Sequence, residues 1–104
     1  MSKAVIVGEK SLVLGFAGAG IEIVPVEDDE AFHHAMGHLS RQSDVALVLT
    51  TESLAMRNAE VLAEFREHAH AILTVIPTHH GSNHASYQAM RATIERSIGV
   101  DILK

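Results

Sequence analysis

The chain of 104 residues contains no cysteine. That excludes disulfides, thiolate nucleophiles and cysteine-ligated zinc. It also lacks any long apolar run. The longest, VALVL at 45–49 and AILTVI at 71–76, are strand-sized, far from the roughly 20 residues that cross a bilayer. The opening MSKAVIVGEK has too short an apolar part for a secretory h-region of about 7–15 residues, and Gly8-Glu9-Lys10 follows at once. Basic residues are scarce and dispersed: eight Lys and Arg against thirteen Asp and Glu, for a net charge of −5. A nucleic-acid binder gathers positive charge on one face. Nucleic acid and anionic lipid are therefore poor direct partners, and a cytoplasmic protein without direct membrane insertion is expected.

What is present is a 47% apolar chain, long enough for one domain with one hydrophobic core and too short for two. AVIVG at 4–8 is β-branched-rich and reads as a strand. A short helix from Ser11, as N-cap, to Ala19 follows, stopped by Gly20. IEIVPV at 21–26 is a second strand. Pro25 cannot donate to a sheet ladder, which puts this strand at an edge or ends it there. Asp28 or Asp29 then caps a helix whose Phe32, Ala35, Met36 and Leu39 form one apolar stripe. DVALVLT at 44–50 is nearly all apolar, as a strand covered on both faces should be. Thr50 or Thr51 caps the next helix, with the stripe Leu54, Asn58, Val61, Leu62 and Phe65, imperfect at Asn58. AILTVIP at 71–77 is the fourth strand, and 85–98 reads as a last helix stopped by Gly99. The alternation predicts an α/β fold: a four-stranded parallel sheet in a Rossmann-like or receiver-like three-layer sandwich.

Ligands in such folds bind beyond the carboxyl ends of the strands. Those ends hold Gly8-Glu9-Lys10, Glu27-Asp28-Asp29, Thr50-Thr51-Glu52 and Pro77-Thr78-His79. GEKS is too short and wrongly ordered for a phosphate loop. GFAGAG at 15–20 lies at a helix C-terminus, where the dipole repels phosphate, and reads as a packing turn. A receiver needs an acidic pair after strand one and an Asp after strand three. Glu9 alone and two threonines stand there. The run Glu27-Asp28-Asp29 reads as a helix cap with favourable dipole charge. Three of eight histidines fall in PTHHGSNHASYQ at 77–88. His79 and His80 are adjacent and diverge, as do His33 and His34, and His84 has no carboxylate to complete a ligand set. His34 and His38 are an i, i+4 pair able to chelate only adventitious metal. No metal site, no cofactor and no catalytic constellation is expected.

The motifs AVIVGEKSLVLGFAGAGIEIVPVED, VIP at 75–77 and IGVD at 98–101 follow one another along the whole chain. In this order and spacing the sequence resembles the F subunit of the A-type/V-type rotary ATPases. Gly8, Gly15, Phe16, Ala19, Gly20 and Ile21 match that family's opening, and Ile98, Gly99, Val100 and Asp101 its close. The His79/His80/His84 loop departs from the family's Gly, Ser, Pro and acidic residues.

The resemblance implies a non-catalytic central-stalk (rotor) component of a proton- or sodium-translocating ATPase. It would bind the coiled-coil D subunit inside the A/B catalytic ring and help couple ATP turnover to ion transport. It implies an α/β body at 1–78, a polar connector at 79–84 and a mobile C-terminal helix and tail at 85–104, with the protein held peripheral to the membrane through the complex. The partner-binding stripe expected on that helix is Tyr87, Met90, Ile94 and Ile98, flanked by Arg91. The alternative is a stand-alone receiver-like small-ligand or signalling module.

Overall fold

The structure, a computed structural model, describes residues 2–77. The connector expected at 79–84 and the helix carrying Tyr87, Met90, Arg91, Ile94 and Ile98 lie outside the described residues.

Four strands, β1 (Lys3–Glu9), β2 (Glu22–Val26), β3 (Val45–Thr51) and β4 (Ile72–Ile76), pair in parallel in the order β2-β1-β3-β4. Composition sets this order. The two central strands bury nearly every residue and are continuous apolar runs. The two outer strands are only partly buried. Pro25 sits on the edge strand β2, opposite Gly8 of β1, where its missing N–H leaves no gap inside the sheet.

Helix α1 (Lys10–Val13), prolonged by a 3₁₀ turn at Leu14–Phe16, covers one face of the sheet. Helices α2 (Asp29–Ser40), α3 (Glu52–Arg57) and α4 (Ala59–His68) cover the other. On the three-helix face Phe32, Met36 and Leu39 of α2 meet Leu54 of α3 and Leu62 and Phe65 of α4 over Val5, Val7 and Val48. On the α1 face Val13 and Ile21 close over Ala4, Ile6, Leu47, Leu49 and Ile76, with Phe16 packed alongside. The α/β sandwich and its all-parallel sheet match the sequence reading.

Two local expectations, on the first and third helices, need correction. The first helix does not run from Ser11 to Ala19. It has one α turn from Lys10, with Glu9 in the N-cap position and no side-chain cap, then a 3₁₀ turn. Gly18 and Gly20 adopt φ of +85° and +79°, a left-handed conformation that ends helical geometry and that glycine tolerates. Of the two α2 cap candidates Asp28 is the one used, accepting the N–H of Ala31 at 2.8 Å, as expected. The third predicted helix is two helices, broken at Asn58, whose φ of −130° and ψ of 43° leave the helical region.

Candidate functional site

The chain leaves β1 toward β2 on one side and returns to β3 on the other. The crevice at their carboxyl ends is therefore the place where this fold class holds ligands. Gly8 and Glu9 end β1 there, and Thr50 and Thr51 end β3. The strands come unusually close to α1 at this point. A Cβ on Gly8 would stand 2.7 Å from a Val13 methyl and 2.8 Å from the Thr51 methyl, so only glycine fits.

That approach delivers Glu9 to the start of α3. The Thr51 hydroxyl donates to Glu9 Oε1 at 2.6 Å and the Ser53 hydroxyl to Oε2 at 2.5 Å. Thr51 thus stands at the N-cap position of α3 but gives its hydroxyl to Glu9 in place of capping. Partial burial pushes the Glu9 carboxyl up. The Ser53 and Thr51 hydroxyls, its own backbone N–H and the charge of Arg57 outweigh that, and its pKa falls below the ordinary 4.5. A carboxylate so stabilised is a weaker base than a free one, and the two hydroxyls beside it are committed to it as donors. Both carboxylate oxygens of Glu9 are thus engaged by hydroxyls of its own chain. The neighbouring Thr50 is fully buried, and its hydroxyl has no protein partner among the described residues.

A second polar cluster joins the three helices of the opposite face. Asn58, 5% exposed, donates from Nδ2 to Leu54 O at 2.9 Å and to Asp29 Oδ1 at 3.2 Å. Its Oδ1 must then accept, so His33 donates from Nε2, at 2.9 Å. Arg57 Nε also donates to Asp29 Oδ1, at 3.2 Å. The Asn58 amide first, then Arg57, holds the Asp29 carboxyl below its usual range. Asn58, a flaw in the apolar stripe by sequence, is the polar pin among α2, α3 and α4. Beside it, a cleft of about 220 Å³ opens between α2 and α4, floored by Met36, Val61 and Phe65 and rimmed by His33, Glu64 and His68.

The groups nominated from the sequence separate as follows. Glu27, Asp28 and Asp29 form a helix start, with Asp29 and Glu30 in the first turn. His34 and His38 do not pair; His38 Nε2 accepts from the Gln42 amide at 2.9 Å. Among the described residues no three His, Cys, Asp or Glu converge as a metal would require. No helix among them is long and apolar enough to cross a membrane. His79, His80 and His84 lie outside the described residues. Sequence reasoning puts Glu9 and Thr51 at strand ends but does not pair them, and it misses Ser53 altogether. The available signal is their shared position at the β1/β3 reversal.

Residues 4–94 match the family described as ATP synthase (F/14-kDa) subunit. The chain is 35% identical over 105 residues to the F subunit of the A-type ATP synthase of Thermococcus sibiricus, covering 96% of this chain and 97% of that one. It is 29% identical over 98 residues to the F subunit of the V-type ATP synthase of Clostridium botulinum (strain Eklund 17B / Type B), covering 94% of each. With the F subunit of the A-type ATP synthase of Methanococcus aeolicus the identity is 22% over 101 residues, covering 96% of this chain and 98% of that one. With a parallel α/β body whose Glu9 is tied to Thr51 and Ser53, and matched over nearly its whole length, the chain belongs to the family of the ATP synthase (F/14-kDa) subunit, the F subunit of V-type and A-type ATP synthases.

Proposed function

We propose that the chain is a non-catalytic central-stalk component, turning with the coiled-coil D subunit inside the A/B ring and helping couple ATP turnover to proton or sodium movement. The observation that carries this reading is family membership across residues 4–94. The engagement of Glu9 supports it: at the strand end where a receiver-like module would hold a ligand, its carboxylate accepts two hydroxyls of its own chain. The body, on this reading, is a scaffold. The connector at 79–84 carries the helix at 85–98, and Tyr87, Met90, Ile94 and Ile98 with Arg91 lie along the D subunit, as an amphipathic helix can extend the packing of a coiled coil. The protein is then peripheral to the membrane on the cytoplasmic side, through the complex alone.

Co-expression with the D subunit tests this. A stoichiometric complex that joins the A/B ring, and no ATP hydrolysis by the isolated chain, is the expected result. Failure to associate with the D subunit, or turnover by the pure chain that disappears in Glu9→Gln, would sink the reading.

A further inference from the structure

The two edges of the sheet differ in chemistry. The β2 edge carries Pro25, which removes a donor, and Glu22, which is paired with Lys3 at 3.0 Å. These are devices that blunt an edge against strand addition. The β4 edge has neither. Ile72-Leu73-Thr74-Val75-Ile76 contains no proline and no charge, pairs among the described residues with β3 alone, and leaves Ile72 53% exposed.

This strand is also nearly its own mirror about Thr74. In an antiparallel pair centred there, Ile72 stands opposite Ile76, Leu73 opposite Val75, and Thr74 opposite Thr74. A two-fold axis perpendicular to the sheet keeps the faces in common. Leu73 and Val75, which pack on the three-helix side, meet their counterparts on that same side. Exposed Ile72 is covered by a buried Ile76. Thr–Thr pairs are among the favourable cross-strand neighbours. Pro77 falls opposite Ala71 and ends the ladder.

Charge agrees. On α4, Val61, Glu64 and His68 face the cleft toward α2. Helical spacing therefore sets Ala59, Ala63 and Arg66 on the flank toward the β4 edge. The same axis runs the two copies of α4 antiparallel, so the C-terminal turn of one, with Arg66, lies toward the same end as the N-terminal turn of the other, with Glu60. Among the described residues neither Arg66 nor Glu60 makes an ion pair.

We infer that the β4 edge is a self-association surface: two copies of this chain join β4 to β4 in antiparallel, in a weak isologous dimer with a continuous eight-stranded sheet. The dimer is independent of the rotor reading and is a state of the free protein.

The cysteine-free sequence permits a clean test on the full chain. Paired residues have Cβ atoms about 4.5–5.5 Å apart, close to disulfide range. Thr74→Cys should therefore give a disulfide-linked dimer under mild oxidation. Ile72→Cys should not, because the register sets the two copies of position 72 four residues, about 13 Å, apart. In sedimentation of the wild-type chain the mass should rise toward the dimer with concentration. Ile72→Lys, at an exposed site, should weaken association about tenfold or more. A chain that stays monomeric at all concentrations with Thr74→Cys unlinked overturns the proposal; residues beyond Pro77 lying on this edge would give that result. A dimer in which Ile72→Cys links as readily as Thr74→Cys overturns it too. Failure to bind the D subunit leaves these results unchanged, so the two readings fall separately.

Discussion

The two faces of the sheet are closed by different means. The three-helix face is filled by volume: Phe32, Met36, Leu39, Leu54, Leu62 and Phe65 interlock, and Asn58 ties their helices. The α1 face is closed by proximity. One α turn and a 3₁₀ turn supply few large side chains, and the backbone comes so near that Gly8 must lack a Cβ. Stability on one face depends on what is present, and on the other on what is missing. The adjacent threonines of β3 show the same division. Alternation sends Thr51 to the α1 face, where Glu9 takes its hydroxyl. Thr50 goes to the helix face, where its hydroxyl is unpartnered among the described residues.

The largest expected effect is on the filled face. Phe32→Ala should destabilise by about 3–5 kcal/mol, read in urea melts, because a fully buried ring leaves a cavity between α2 and the sheet. On the thin face, adding one methyl should matter in the opposite sense of volume. Gly8→Ala should cost about 1–3 kcal/mol as α1 and β3 are forced apart. If Gly8→Ala melted like wild type, the close-approach account of the α1 face would be wrong.

Thr50→Val should stabilise, by up to about 1 kcal/mol, since it replaces an unpaired buried hydroxyl with an isosteric methyl. Destabilisation would reveal a partner for that hydroxyl. The smallest effect is pH-dependent. Glu9's folded pKa lies below its unfolded value, so its contribution is present above the ordinary 4.5 and is lost as pH falls through the folded pKa. Wild type should be more stable than Glu9→Gln at neutral pH, and the gap should close as pH falls below 4.5 and through the folded pKa. A gap that is constant with pH would deny Glu9 its ionised role.

Much of the fold is legible in the sequence because local chemistry and global position agree. VALVL reads as a strand covered twice, Pro25 as an edge or a strand end, and Asp28 or Asp29 as a cap. The alternation of elements then determines the sheet class. The first helix misleads because the run Ser11 to Ala19 has helix-like ends, while Gly15 and Gly18 interrupt its interior. The break at Asn58 is visible as an imperfect stripe. Its cause is not: Asp29 and His33 reach it only once α2 packs beside α3, 29 and 25 residues away in sequence. The Glu9 cluster is hidden for the same reason. Its partners lie 42 and 44 residues on, and parallel register alone brings them together. Gly8 is legible as a strand end and as a family match, yet its steric role needs α1 in place.

The central proposal is that the body is a scaffold and that recognition of the D subunit belongs to a helix proposed at 85–98. Titration of the D subunit with Ile94→Asp and wild type, alongside thermal melts of both, tests it most directly. The account predicts an unchanged melt and an affinity lower by about 2 kcal/mol or more, as for a buried interface anchor. A folded Ile94→Asp chain that binds the D subunit as tightly as wild type would contradict it, as would a melt that collapses because Ile94 belongs to the body's own core.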